Sequence, residues 1–269
     1  MTAPPQTDER PDASGGPLPP DPEWGKRPAD DAELVWLGGP ASRFTEFLRV
    51  LRIGGEFIKG FRALHFAGPC VTVFGSARFD ETHEYYALAR EMGRRLGLSG
   101  FTVMTGGGPG VMEAANRGAR DIGGRSLGCN IELPHEQRPN AYLDRWVDFR
   151  YFFVRKVMLV KYSYAFVVLP GGFGTLDEIF ETATLVQTGK IRDFPIVLMG
   201  RAYWQPLLDF MQETLVAQGT IDQDDRDRLL VTDSPDEAMA HILDVTVGGL
   251  GVMARRKLPK QHTWLGEKT

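Results

Sequence analysis

From residue 70 onward, short runs rich in valine and other apolar residues alternate with longer stretches of helical periodicity, and this alternation most restricts the fold. "CVTVFG" (70–75), "FTVMT" (101–105), "SLGCNIEL" (126–133), "YAFVVLP" (164–170), "PIVLMG" (195–200) and "LLVTD" (229–233) read as strands, and "RWVDFRYF" (145–152) can hold another. Between them lie amphipathic stretches such as "EYYALAREMGRRLGLSG" (84–100) and helices expected from 176 to about 188, near 203–217, and to about 245. Strands that are apolar throughout, rather than every second residue, are buried on both faces, as in a parallel sheet covered by crossover helices. The expected fold is therefore α/β: a Rossmann-like, doubly wound, mostly parallel sheet with helices on both faces.

With 269 residues, 42% of them hydrophobic and 25% charged, the chain can bury a sizeable core. A net charge of −4 gives no general attraction to nucleic acid or an anionic membrane, and neither is expected as a partner. Cys70 and Cys129 are too few and too far apart for a disulfide framework or a CxxC metal site, which suits a reducing cytoplasm. No apolar run approaches the ~18 residues of a membrane-spanning helix. The start, "MTAPPQTDERPDASGG", has no signal-peptide core.

Eight of the 18 prolines fall in the first 28 residues, so residues 1–33 are expected to be a disordered extension. A helical segment is expected over 34–68, the Rossmann-like domain over 69–250 and a flexible basic tail over 251–269. In "SRFTEFLRVLRIGGEFIKGFRAL" (42–64), Phe44, Phe47, Leu48 and Leu51 share one face, as do Phe57, Ile58 and Phe61. Gly54-Gly55 predicts a break or bend between these halves.

Ligands of doubly wound sheets bind at the carboxyl ends of the strands, where loops enter helices. Two glycine-rich loops fall there: Gly106-Gly107-Gly108-Pro109-Gly110 and Gly171-Gly172-Phe173-Gly174-Thr175. Pro109 suits a first helical turn. Free N–H groups and a helix dipole in such loops favour a phosphate. The second loop lacks the lysine of a nucleotide-triphosphatase loop, and Val111 stands where the dinucleotide fingerprint needs glycine. The five histidines (65, 83, 135, 241, 262) show no metal-ligand spacing, and neither a metal nor a cofactor is expected. What remains beside the loops is carboxylates and one cationic pair, Arg155-Lys156.

"MTGGGPGVMEAANRGA", "LPHEQRPNAY", "FFVRK" and "LPGGFGTLDEIFETAT", in this order, resemble the LOG family, once misnamed lysine decarboxylases. The resemblance covers roughly residues 70–245. It implies a cytokinin riboside 5′-monophosphate phosphoribohydrolase, or an AMP nucleosidase, which cleaves a nucleoside monophosphate to free base and ribose 5-phosphate. It implies Arg155 and Glu178 as the catalytic pair. The substrate-binding residues it implies are Lys156, Gly171, Gly172, Phe173, Gly174, Thr175, Leu176, Asp177, Thr184 and Glu136, with the first loop Gly106, Gly107, Gly108 and Gly110 beside Met112 and Glu113. It also implies a homodimer or higher homo-oligomer. The long N-terminal extension, "GPGVMEAAN" and "LPHEQRPN" depart from short plant-type members and resemble a bacterial branch.

Alternatives stand beside these roles. Thr175 and Glu178 also match a capping box, in which Thr175 caps the helix and Glu178 reaches back. Asp177, Glu181 and Arg155-Lys156 match solvated helix charges, and Glu113 a first-turn acid favoured by the dipole. A non-catalytic nucleotide- or cofactor-binding carrier on the same fold is the alternative function.

Overall fold

The computed structural model describes residues 42–132 and 139–248, so the readings made for the two termini and for Glu136 lie outside the described residues. The described residues from Arg43 onward form one compact unit. In chain order its elements are α1 (Arg43–Leu64), β1 (Cys70–Phe74), α2 (Glu84–Leu98), β2 (Thr102–Thr105), α3 (Val111–Asp121), β3 (Ser126–Ile131) and β4 (Arg145–Phe149). There follow α4 (Phe152–Tyr162), β5 (Ser163–Val168), α5 (Phe173–Gln187), β6 (Ile196–Met199), α6 (Arg201–Phe210), α7 (Gln223–Asp227), β7 (Leu229–Thr232) and α8 (Pro235–Leu243). Wider π turns extend α6 over Met211–Val216 and α8 over Asp244–Gly248.

The seven strands form one parallel sheet in the order β4-β3-β2-β1-β5-β6-β7. Successive side chains of a strand point to opposite faces, and both faces here are covered. Cys70 and Phe74 of β1, with Phe166 and Val168 of β5, pack under α1, α4, α5 and α6 through Leu64, Met158, Ile179 and Trp204. Val71, Val73, Ala165 and Val167 face the other way, toward Met92 of α2, Ala115 of α3 and Ile242 of α8. Where β1 meets β5, the buried hydroxyls of Thr72 and Ser163 share a hydrogen bond of 2.6 Å. The strand order reverses at this junction, the place where doubly wound sheets bind their ligands.

Three local expectations are corrected. α1 runs unbroken through Gly54-Gly55. The helical cost of a glycine is about 1 kcal/mol, and packing beyond the pair outweighs it: Glu56, Gly60 and Leu64 are buried, and Ile53 and Phe57 rest on the core. Pro109 precedes the N-cap, Gly110, rather than entering the first turn of α3. α5 starts at Phe173 with Gly172 as its N-cap, so Thr175 lies inside the first turn and the capping box with Glu178 does not form.

Candidate active site

The loops after β1, β2 and β5 are stitched together at the carboxyl edge. The Ser76 N–H donates to the Pro170 carbonyl at 2.9 Å, and the Val111 N–H donates to the Ser76 carbonyl at 3.0 Å. Gly110 permits this approach: its φ is +68°, and a Cβ there would lie 2.5 Å from the Ser76 oxygen. The first glycine loop is held from beneath by buried and half-buried polar groups. The Thr105 hydroxyl donates to Asn116 Oδ1 at 2.7 Å and accepts from the Gly107 N–H at 2.9 Å. Asn140 Nδ2 donates to the carbonyls of Gly107 (3.2 Å) and Gly108 (3.1 Å) and reaches Asn116 Oδ1 at 3.0 Å. Gly106, Gly107, Gly108 and Gly110 are all buried. Glu113 turns to α2, where it accepts from the Tyr86 hydroxyl at 3.0 Å.

The second loop feeds α5, whose first turn carries no acidic side chain. The first N–H groups of any helix lack intrahelical acceptors, so this turn presents donors beside Gly172 and Gly174. Thr175 is buried, its hydroxyl in the space that a side chain at Gly171 would need. One turn further on, Glu178 is 2% exposed.

Arg155, near the start of α4, meets it there. Its Nε donates to the Cys129 carbonyl at 2.8 Å, and its Nη1 stands 3.9 Å from Glu178 Oε1. A Cβ at Gly106 would sit 2.7 Å from Arg155 Nη2 and 2.8 Å from Met112 Sδ, so the guanidinium reaches the first loop as well. Glu178 Oε2 is buried with no hydrogen-bond partner among the described residues. Burial pushes the Glu178 carboxyl up to about 7, against the opposing pull of Arg155 and Lys156. A buried carboxyl poised near neutrality suits proton transfer.

Arg155, Glu178, the first loop and the start of α5 thus converge. Lys156 lies just outside, its Nζ 2.9 Å from Asp177 Oδ1 and 2.8 Å from Glu181 Oε2, tying α4 to α5. Leu176 is half-buried and Phe173 is 92% exposed. Thr184 stands apart on the exposed side of α5, its hydroxyl donating to the Phe180 carbonyl at 2.7 Å. Sequence reasoning missed Thr105, Asn116 and Asn140; the first two lie within "MTGGGPGVMEAANRGA" and the last within "LPHEQRPNAY", and that position was their only signal. A cavity of about 790 Å³ lined by Phe194, Arg201, Arg226 and His241 includes none of the predicted site residues. Among the described residues, no three or more His, Cys, Asp or Glu side chains are grouped to hold a metal ion.

These features define an α/β protein with an acid–guanidinium pair between glycine loops at the switch point of its sheet. Residues 112–242 match the family model described as "Possible lysine decarboxylase". The chain is 31% identical over 176 residues to the cytokinin riboside 5′-monophosphate phosphoribohydrolase of Rhodococcoides fascians, an alignment spanning 64% of this chain and 88% of that one. It is 27% identical over 176 residues to the pyrimidine/purine nucleotide 5′-monophosphate nucleosidase of Escherichia coli strain K12, spanning 60% of this chain and 38% of that one. The X-ray structure of the structural-genomics target TM1055 superimposes with a TM-score of 0.50 at 27% identity, covering 65% of this chain and 98% of that one. The chain belongs to the LOG family.

Proposed function

We propose that the protein hydrolyses the N-glycosidic bond of a nucleoside 5′-monophosphate, releasing the base and ribose 5-phosphate. The observation that carries this is Glu178, a buried carboxyl one turn beyond the second glycine loop and 3.9 Å from the Arg155 guanidinium, which itself reaches the first glycine loop. The names of the relatives support the same chemistry.

The substrate phosphate rests on the start of α5, where unpaired N–H groups and the helix dipole favour an anion. As the C1′–N bond lengthens, positive charge grows on the ribose ring, and ionised Glu178 stabilises it. The carboxylate also draws a proton from the attacking water. Overall, the water's hydroxyl bonds to C1′, the electrons of the broken bond leave with the base, and the base gains the remaining proton. Arg155 holds Glu178 toward its ionised form and offers donors to the phosphate or a ribose hydroxyl. Lys156, Gly171 to Asp177, Gly106, Gly107, Gly108, Gly110, Thr184 and Glu136 complete the proposed substrate contacts.

A cytokinin-type base is the narrower part of the proposal. So is assembly as at least a homodimer, which the exposed Phe44, Phe47, Leu48 and Leu51 of α1 and Phe180 of α5 support. Two free, buried cysteines suit a cytoplasmic setting, and no described helix is long and apolar enough to cross a membrane. The test is to incubate purified protein with AMP and with isopentenyl-AMP. Free base with ribose 5-phosphate is expected from at least one; release from neither, with folded protein, refutes the reading.

A further inference from the structure

α1 precedes residues 112–242, which match the family model, yet it clasps the helix that carries Arg155. Its contacts run along α4 and the strand before it. Lys59 Nζ donates to the Asp148 carbonyl at 2.7 Å, and a Cβ at Gly60 would lie 2.9 Å from Met158 Cε. The Tyr162 hydroxyl donates to the Phe61 carbonyl at 3.4 Å. The most pointed contact is polar. Glu56, 9% exposed in the middle of α1, accepts the Arg150 N–H at 3.1 Å on Oε1 and 3.3 Å on Oε2, and the Tyr151 N–H at 3.4 Å on Oε2. Tyr151 is the N-cap of α4 and makes no side-chain capping bond of its own. A carboxylate from a distant helix therefore holds the residues that open α4, at the end where the helix dipole favours negative charge.

The first turn of α4 transmits this hold to the reactive pair. The Arg155 N–H donates to the Tyr151 carbonyl at 3.2 Å, closing the turn whose start Glu56 grips. The Arg155 side chain then spans to the Cys129 carbonyl and stands beside Glu178. We propose that Glu56 is a positioning residue for the reaction: by fixing Arg150 and Tyr151 it sets the first turn of α4, and with it the place of the Arg155 guanidinium beside Glu178 and Gly106. Glu56 lies outside the site and touches neither Arg155 nor substrate.

This assignment rests on the proposed hydrolase reading only for its kinetic consequence; its electrostatic consequence is independent of turnover. The charged and titratable groups facing Glu178 are Arg155 and Lys156 of α4, Asp177 and Glu181 of its own helix, and the Cys129 thiol of β3. Among these, the opposing pull of Arg155 on the buried carboxyl is the largest. If the guanidinium drifts when Glu56 is lost, Glu178 protonates at higher pH. A purely structural role for Glu56 would lower stability and leave that protonation where it is.

The experiment compares wild type with Glu56→Ala, Glu56→Asp and Glu56→Gln in the full chain. Protonation of Glu178 is followed by infrared difference titration, its band identified from the Glu178→Gln spectrum, and AMP hydrolysis is measured in parallel. Glu56→Ala should raise the Glu178 midpoint and lower kcat by about 10–100-fold, the scale of a small misplacement in a reacting constellation. Glu56→Asp, whose carboxylate is drawn back by one methylene, should shift both in the same direction by less, and it carries the test if the alanine variant does not fold. Glu56→Gln keeps an acceptor oxygen and should recover most of both. An unmoved midpoint in a folded alanine or aspartate variant overturns the assignment, as does a glutamine variant no better than alanine. If wild type hydrolyses no nucleotide, the functional reading fails while the infrared shift still decides the role of Glu56.

Discussion

Replacing Glu178 with glutamine should make the protein more stable and less active at once. Burial lifts this carboxyl from 4.5 to about 7. The sign follows from proton binding. Below pH 4.5 both the folded and unfolded chains hold the proton, and Glu178 contributes no pH-dependent difference. Between 4.5 and about 7 the unfolded chain releases it while the folded protein keeps it, so stability falls as pH rises. Above about 7 the buried carboxylate is ionised and its full penalty is present, about 3 kcal/mol for a displacement of this size. Glutamine stays neutral throughout. Urea denaturation at fixed protein concentration should therefore show Glu178→Gln about 3 kcal/mol more stable than wild type at pH 8 and nearly equal to it at pH 4.5. In a thermal scan the gain corresponds to roughly 6–12 °C, at 2–4 °C per kcal/mol for a chain of this size. Turnover of nucleoside monophosphates should fall about 100-fold or more, because an amide neither balances an oxocarbenium charge nor takes a proton. A stability difference that does not change between pH 4.5 and pH 8 would refute the reasoning, since only the ionised carboxylate carries the cost.

Gly106→Ala should cut turnover by about 10–100-fold, because the new methyl would lie 2.7 Å from Arg155 Nη2 and displace the guanidinium; an unchanged kcat in the folded variant would show that the site does not need this placement. AMP should be hydrolysed far faster than adenosine, since losing a charge-assisted phosphate contact costs about 1.5–3 kcal/mol per hydrogen bond; equal rates would show that the glycine loops do not hold a phosphate. Light scattering at micromolar protein should return at least a dimer mass, and a monomer mass would refute the proposed burial of the apolar faces of α1 and α5.

The central strands were legible because burial on both faces leaves an unbroken apolar run, as in "YAFVV". The two glycine loops were legible as loops, since so much backbone freedom suits neither a helix interior nor a strand. Arg155 and Glu178 were not legible as a pair from spacing. They lie on different helices, and only the resemblance carried by "FFVRK" and "PGGFGTLDE" joined them. The start of α5 was misplaced because "TLDE" reads as a strong capping signal. Gly172 can cap instead, and the fold then uses Thr175 and Glu178 as buried groups. Asn116 and Asn140 gave no local signal, because a buried or half-buried amide finds its role only when the β2 loop, α3 and the segment before β4 meet. Glu56 drew no notice in the sequence, because its partners, Arg150 and Tyr151, are more than ninety residues away.

The strand order has a consequence for how activity appears during folding. β1 to β4 pair with their neighbours in sequence, and so do β5 to β7; within the sheet, only the β1–β5 junction joins the two blocks. Thr72 and Ser163, which meet across it, are 91 residues apart, so closing this seam carries the largest chain-entropy cost in the sheet. The stitched loops at its edge draw on both blocks, with Ser76 and Val111 from the first and Pro170 from the second. Helical and strand signal can therefore return during refolding while the two blocks remain apart, but the site at that edge cannot. Regain of nucleotide hydrolysis should trail regain of far-ultraviolet dichroism, and weakening the seam should silence the enzyme before either block melts.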